Sequence, residues 1–80
     1  MEIPIGRNIR RLRKGKGMTQ TELAHQLNVS FQAVSKWERG YSYPDTALLL
    51  PIAITFDVSL DTLFCDVDEK ENEKHRHSNI

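Results

Sequence analysis

Apolar residues recur along the chain with the spacing of helix faces. Ile5, Ile9 and Leu12 stand at i, i+4 and i+7, which predicts an amphipathic first helix over about 5–14. The pair of glycines that follows predicts its end. A helix this short must bury its apolar face against other elements, so the pattern predicts a packed helical domain.

A second helix is predicted over about 20–27. Thr19 and Glu22 have the T-x-x-E spacing of a capping box, in which each side chain accepts a bond from the backbone of the other residue. Asn28 follows the helix, and asparagine tolerates the left-handed conformation that ends many helices.

A third helix is predicted over about 31–39, with Ser30 as its cap and Gly40 at its exit. Val34 and Trp37 are three residues apart and therefore face inward together. The turn before this helix is about three residues long, which suits a crossing of roughly 90–120° between the two helices.

Two further helices complete the pattern. Asp45 is predicted to cap a fourth helix that begins near Thr46, and Pro51 lies inside it. Proline removes one backbone hydrogen bond, but helical apolar spacing continues on both sides of it, so we expect one kinked helix. Ser59 is predicted to cap a last turn or two that ends near Phe64.

These elements predict an all-α fold with one domain over 5–65. Residues 66–80, DVDEKENEKHRHSNI, have almost no apolar content, which predicts a charged, flexible tail or linker. No apolar run reaches the roughly 18 residues of a membrane span. A single cysteine, Cys65, excludes an internal disulfide and fits the cytoplasm.

Charge is divided unevenly between the two halves of the chain, although the formal net charge is zero. Residues 1–40 carry a net charge of +5, and residues 41–80 carry −5. The positive half contains the paired second and third helices. A basic surface on such a pair is typical of proteins that bind nucleic acid.

The segment TQTELAHQLNVSFQAVSKWERG, residues 19–40, resembles the helix-turn-helix of the Cro and phage-repressor family, the xenobiotic-response-element-like bacterial regulators. The motif positions are occupied here by Gln20, Ala24, Asn28, Val34 and Trp37. The resemblance extends over about 5–64. It implies a compact five-helix, lambda-repressor-like domain with the helix-turn-helix at helices 2 and 3.

The resemblance implies that the third helix lies in the DNA major groove with its first residues at the base edges. The candidate base-edge residues are Phe31, Gln32, Ser35 and Lys36. Gln32 can bond adenine with two hydrogen bonds, and Lys36 can reach the acceptors of guanine. Phe31 departs from the polar residue often found there. Its ring either packs on a thymine methyl or reads shape by blocking other bases; the alternative is a ring that is exposed to solvent or used at a protein contact.

Other residues are candidates for the DNA backbone. They are Gln20, Ser30, Arg39, Tyr43, Arg10 and Lys14. Gln20 is at a helix N-terminus, where its amide and free backbone N–H groups can meet a phosphate together. Arg10 and Lys14 share one face of the first helix, and Arg7 and Arg11 share another; the resemblance implies that one of these pairs lies near the backbone. An ordinary solvated surface is the open alternative.

The remaining residues predict no catalysis, metal or cofactor. No carboxylate pair, Ser/His/Asp set, phosphate-binding glycine loop or zinc spacing appears. Trp37 is expected in the core rather than on a stacking platform, and Glu38 is expected to pair with an arginine of the first helix. We therefore predict that the protein is not an enzyme.

The functional prediction is a bacterial or phage transcriptional regulator, a repressor, that binds a double-stranded DNA operator. We expect it to bind no small-molecule ligand and to have no association with a membrane. Two copies are needed to cover a palindromic site, so we expect a homodimer. Leu60, Leu63 and Phe64 offer the best apolar surface for it. The alternatives are a protein-interaction module and an antitoxin of the same fold.

Overall fold

The computed structural model describes residues 4–65, and within them it contains five α-helices. These are α1 (Ile5–Gly15), α2 (Gln20–Leu27), α3 (Phe31–Glu38), α4 (Thr46–Phe56) and α5 (Leu60–Phe64). Each matches a predicted helix to within about one residue, so the all-α expectation is confirmed for the described part. The predicted tail at 66–80 lies outside it.

The ends of α2 and α3 are held by the predicted local bonds. Glu22 donates its backbone N–H to Thr19 Oγ1 at 3.0 Å, and Thr19 donates its own to Glu22 Oε1 at 2.7 Å. Asn28 adopts the left-handed conformation with φ 59°. Ser30 Oγ accepts a bond from the backbone N–H of Ala33 at 3.1 Å. The turn between the two helices is therefore stabilised by its own sequence.

Asp45 corrects one prediction. It stands at the N-cap position of α4, but its side chain makes no capping bond. Its φ is −56°, whereas the three serine and threonine caps have φ between −78° and −80°. The backbone carbonyl of Asp45 accepts from Leu48 N at 2.8 Å instead.

α4 continues through Pro51 as one element, which confirms that the proline does not divide it. Its last residue is Phe56, and Asp57 follows it in the left-handed conformation with φ 57°. Within the described residues, no helix is both long and apolar enough to span a bilayer.

The core takes one fully buried side chain from each of the five helices. These are Ile9, Leu23, Val34, Ile52 and Leu63. Trp37 is buried beside them, which confirms its expected place in the core. Because each such side chain stabilises the fold by roughly 1.5–3 kcal/mol, the shared core fixes α2 and α3 relative to the rest.

α1 crosses the end of α3 at very close range. A Cβ atom built on Gly6 would lie 1.8 Å from the carbonyl oxygen of Trp37. No side chain fits in that space, so glycine permits this approach.

Asn8 joins α1 to the end of α5. Its side chain is buried, and its Nδ2 donates to the carbonyl oxygens of Leu63 at 2.8 Å and Cys65 at 3.0 Å. The oxygen of the same amide, Asn8 Oδ1, accepts a hydrogen bond from Arg11 Nη2 at 2.7 Å. The last turn of α5 is therefore bound to α1.

Candidate nucleic-acid interface

The outer face of α3 is formed by the residues of that helix that do not pack into the core. Val34 and Trp37 turn inward, and this orientation exposes Phe31, Gln32 and Lys36. Phe31 keeps 47% of its surface accessible, so its ring is not part of the core. Ser35 is half-buried, which gives its short side chain less reach than its neighbours have.

The backbone candidates are also at the surface. Ser30, Arg39, Tyr43, Arg10 and Lys14 are exposed, and Gln20 is half-buried. Ser30 uses its oxygen to accept the capping bond from Ala33. Its hydroxyl hydrogen can still be donated to a phosphate.

Glu38 pairs with an arginine of α1, as predicted, and the partner is Arg13. Arg13 Nε lies 2.6 Å from Glu38 Oε2, and Arg13 Nη2 lies 2.9 Å from Glu38 Oε1. Both side chains are nearly buried. The hydrogen bond to Glu38 raises the pKa of the Arg13 guanidinium above its ordinary value, against the opposing effect of burial.

The sequence pattern did not single out Arg13, although a signal was present. Arg13 stands four residues after the buried Ile9 and therefore shares its inward face. A charged residue at such a position requires a buried partner. Besides Glu38, it has the carbonyl oxygen of Met18, which accepts from Nη1 at 2.8 Å.

Gln20 is bound to the same carboxylate. Its Nε2 donates to Glu38 Oε1 at 3.0 Å. A carboxylate only accepts hydrogen bonds, so the nitrogen of the Gln20 amide must face it. One amide N–H is occupied in this way, and the second remains for another acceptor at the N-terminus of α2.

A contact missed in the sequence involves Tyr41, in the loop after α3. Arg39 Cζ lies 4.9 Å from the centroid of the Tyr41 ring, over its face. No periodicity marks a residue in such a loop. The contact depends on the conformation of the turn between the two residues.

Charge in the described part follows the division seen in the sequence. All of its lysines and arginines lie in or next to α1 and α3, and all precede residue 40. Residues 41–65 contain Asp45, Asp57 and Asp61 but no lysine or arginine. Among the described residues, no group of His, Cys, Asp or Glu side chains is arranged to hold a metal ion.

The last helix corrects the expected dimer surface. Leu63 is completely buried and belongs to the core, so it is unavailable to a second copy. Leu60 and Phe64 keep 41% and 38% of their surfaces accessible and stand one helical turn apart. The apolar surface of α5 is therefore formed by these two residues.

Five helices around one core, with a helix-turn-helix that presents an exposed, partly basic helix, define a helix-turn-helix DNA-binding domain. Residues 9–63 match the Helix-turn-helix family, and the chain belongs to that family.

Solved structures of DNA-bound proteins share the fold. The P22 c2 repressor in complex with synthetic operator 9T superimposes with a TM-score of 0.72 at 31% identity, covering 80% of this chain and 96% of that one. The biofilm regulator SinR in complex with DNA gives 0.68 at 35% identity, covering 74% and 95%. The repressor-like fold implied by the sequence is thereby confirmed.

Curated relatives are regulators of varied length. The transcriptional activator BcrR of Enterococcus faecalis is 47% identical over 55 residues, which are 69% of this chain and 27% of BcrR. The regulator ImmR of Bacillus subtilis is 37% identical over 70 residues, 86% of this chain and 55% of ImmR. The chain thus spans about a quarter and about half of these two proteins.

Proposed function

We propose that this chain is a sequence-specific, double-stranded DNA-binding transcriptional regulator whose α3 enters the major groove. The observation that carries the proposal is the exposed face of α3, with Phe31, Gln32 and Lys36, on a fold shared with an operator-bound repressor. Base edges in the major groove present donors, acceptors and methyl groups that match an amide, an ammonium and a ring.

The two sets of side chains have different tasks. Gln32 and Lys36 bond base edges, Phe31 packs on a thymine methyl, and Ser35 reaches a base or a phosphate at shorter range. The residues that contact the backbone are Gln20, Ser30, Arg39, Tyr43, Arg10 and Lys14. Phosphate contacts position the domain without reading sequence.

A homodimer follows from the size of the site. One recognition helix reads only half of a useful operator, so two copies bind half-sites about one helical turn apart. Leu60 and Phe64 on α5 provide the apolar surface for the second copy. The regulator acts in the cytoplasm as a repressor by blocking polymerase on its operator.

An antitoxin role is a second candidate, because the chain is similar to the antitoxin PezA of Streptococcus pneumoniae, with 40% identity over 55 residues. Those residues are 69% of this chain and 35% of PezA. Co-expression with a toxin encoded beside the gene tests this role: rescue of growth supports it, and undiminished toxicity contradicts it.

The test of DNA binding is selection from a random duplex pool with the purified chain at near-physiological salt. We expect an enriched inverted repeat with half-sites about 10 base pairs apart. An enriched single half-site would support sequence reading and mean that the dimerising part is missing or weak in this chain. No enrichment from a chain shown by circular dichroism to be folded would contradict the proposal and favour a protein-interaction module.

A further inference from the structure

The turn that ends α3 holds Tyr41 firmly against that helix. Gly40 has φ 80°; its N–H donates to Trp37 O at 3.1 Å, and the N–H of Tyr41 donates to Lys36 O at 2.9 Å. These two bonds form the Schellman arrangement, in which the last carbonyls of a helix are satisfied by the residues after it. The backbone of Tyr41 is thus part of the end of α3.

The side chain of Tyr41 is not buried by this turn. It keeps 72% of its surface accessible, so the ring does not serve the core. Its described charged neighbour is Arg39, whose Cζ lies 4.9 Å from the ring centroid. Arg39 Nε also donates to Ser35 O, at the long distance of 3.4 Å. Two contacts from α3 and its turn therefore restrict one exposed arginine.

An arginine held in this way remains able to bind an anion. The Arg39 Cζ atom lies over the ring of Tyr41, whereas a phosphate bonds the N–H groups at the edge of a guanidinium. Both partners can therefore engage the same guanidinium. A free arginine loses considerable side-chain freedom when it binds, and the stack removes part of that loss in advance.

We propose that Tyr41 is a positioning residue for DNA binding: its ring holds the Arg39 guanidinium so that its edge meets a backbone phosphate beside the groove that α3 occupies. This inference rests on the proposed function. It assigns to Tyr41 no contact with DNA of its own.

The test combines substitutions at the two residues, with affinity measured on the duplex selected from the pool. Tyr41→Leu removes the ring and is expected to weaken binding by about threefold to fivefold. Tyr41→Phe keeps the ring and is expected to stay within about twofold of the parent. In an Arg39→Ala background, Tyr41→Leu is expected to have no further effect.

Tyr43 is the matched control, since it is an exposed tyrosine of the same loop, and within residues 4–65 no arginine lies over its ring. Tyr43→Leu is expected to weaken binding by the same factor with and without Arg39. Because all three side chains are exposed, thermal unfolding should show that every variant is folded.

A measurement without DNA separates this inference from the proposed function. In the free protein, the δ protons of Arg39 should be shifted upfield by the ring current, in the parent and in Tyr41→Phe but not in Tyr41→Leu. An unshifted parent would overturn the stack. A shifted parent that binds no duplex would instead overturn the proposed function, and with it the role on DNA.

Two binding results would overturn the inference while leaving the proposed function intact. The first is an equal loss from Tyr41→Leu with and without Arg39, because Tyr41 would then act on its own. The second is an equal loss from Tyr41→Phe and Tyr41→Leu, because the hydroxyl would then be the group that matters.

Discussion

Glu38 accepts hydrogen bonds from two helices besides its own. Arg13 reaches it from α1 with two nitrogens, and Gln20 reaches it from the start of α2. This carboxylate therefore links the three helices that form the proposed DNA-binding half. It also orients the Gln20 amide, so structural stability and a proposed phosphate contact depend on the same residue.

Replacing Glu38 by glutamine should destabilise the fold by about 3–5 kcal/mol, because Arg13 would remain buried without a countercharge. Chemical denaturation measures the loss. Since the pair raises the pKa of Arg13, the Arg13 contribution is present below the ordinary arginine pKa and disappears only as the pH rises through the folded value. The loss should thus be constant from about pH 6 to 9.

Glu22→Gln is the control for that experiment. Glu22 is exposed, and glutamine also serves at its position of a capping box. The same chemical change should therefore alter stability by less than about 0.5 kcal/mol. Equal losses in the two variants would contradict a special role for Glu38.

Gln32→Ala tests the reading of a base. It should weaken binding to the selected duplex by about 1–3 kcal/mol and relax the preference at one base pair of each half-site. Repeating the selection with the variant measures both effects. An equal loss of affinity on selected and scrambled DNA would show that Gln32 does not read sequence.

At the scale of helices, local signals were readable in the sequence. The capping box at Thr19, the left-handed Asn28 and the cap at Ser30 each depend on partners within a few residues. At Asp45, which directly follows the buried Pro44, the predicted side-chain cap does not form. The residue type alone predicts a cap, but the bond also depends on the geometry of the preceding loop.

The crossing of α1 and α3 leads to a test with two glycines of one helix. Gly6→Ala should destabilise the fold by more than about 3 kcal/mol, because its Cβ would overlap the Trp37 carbonyl. Gly15 lies at the other end of α1, where a Cβ meets no neighbouring atom. Gly15→Ala should therefore be neutral or stabilise the fold by up to about 1 kcal/mol.

Thermal unfolding of both variants decides the matter. A Gly6→Ala protein as stable as the parent would mean that α1 and α3 can move apart without a loss of folding stability. The core pattern did not reveal this contact, since Gly6 contributes no side chain and its partner is a backbone atom 31 positions away.

For the whole molecule, the division of charge predicts how binding responds to salt. Lysines and arginines that meet phosphates release counterions, so each one contributes about one unit to the salt slope. Lys14→Ala should weaken binding to all sequences alike and reduce the slope by about one. Lys16→Ala, a nearby exposed cation outside the proposed contact set, should leave the slope unchanged.

Titration of binding against salt concentration with both variants separates contact from general attraction. If Lys14→Ala left the slope unaltered, that residue would belong to the solvated surface of α1. If Lys14→Ala and Lys16→Ala both reduced the slope, and by the same amount, only the overall positive charge would matter.

The location of the candidate site could be predicted from the chain, but its internal connections could not. Periodicity placed Val34 and Trp37 inward, and this alone determined which side of α3 is exposed. The pairing of Arg13 with Glu38 spans 25 positions, and the stack of Arg39 on Tyr41 depends on a left-handed glycine between them. Both require the folded chain.

Asn8 holds the carbonyl oxygen of Cys65, the last described residue, at the first turns of α1. The start of α1 and the residue after α5 are therefore neighbours. A circular permutant that joins them through a short linker and opens in the loop before α4 should retain the native core. For the same reason, a domain of this shape can be inserted into a surface loop of another protein. Its neighbouring ends would not force apart the two host residues that they join, and α3 would stay exposed.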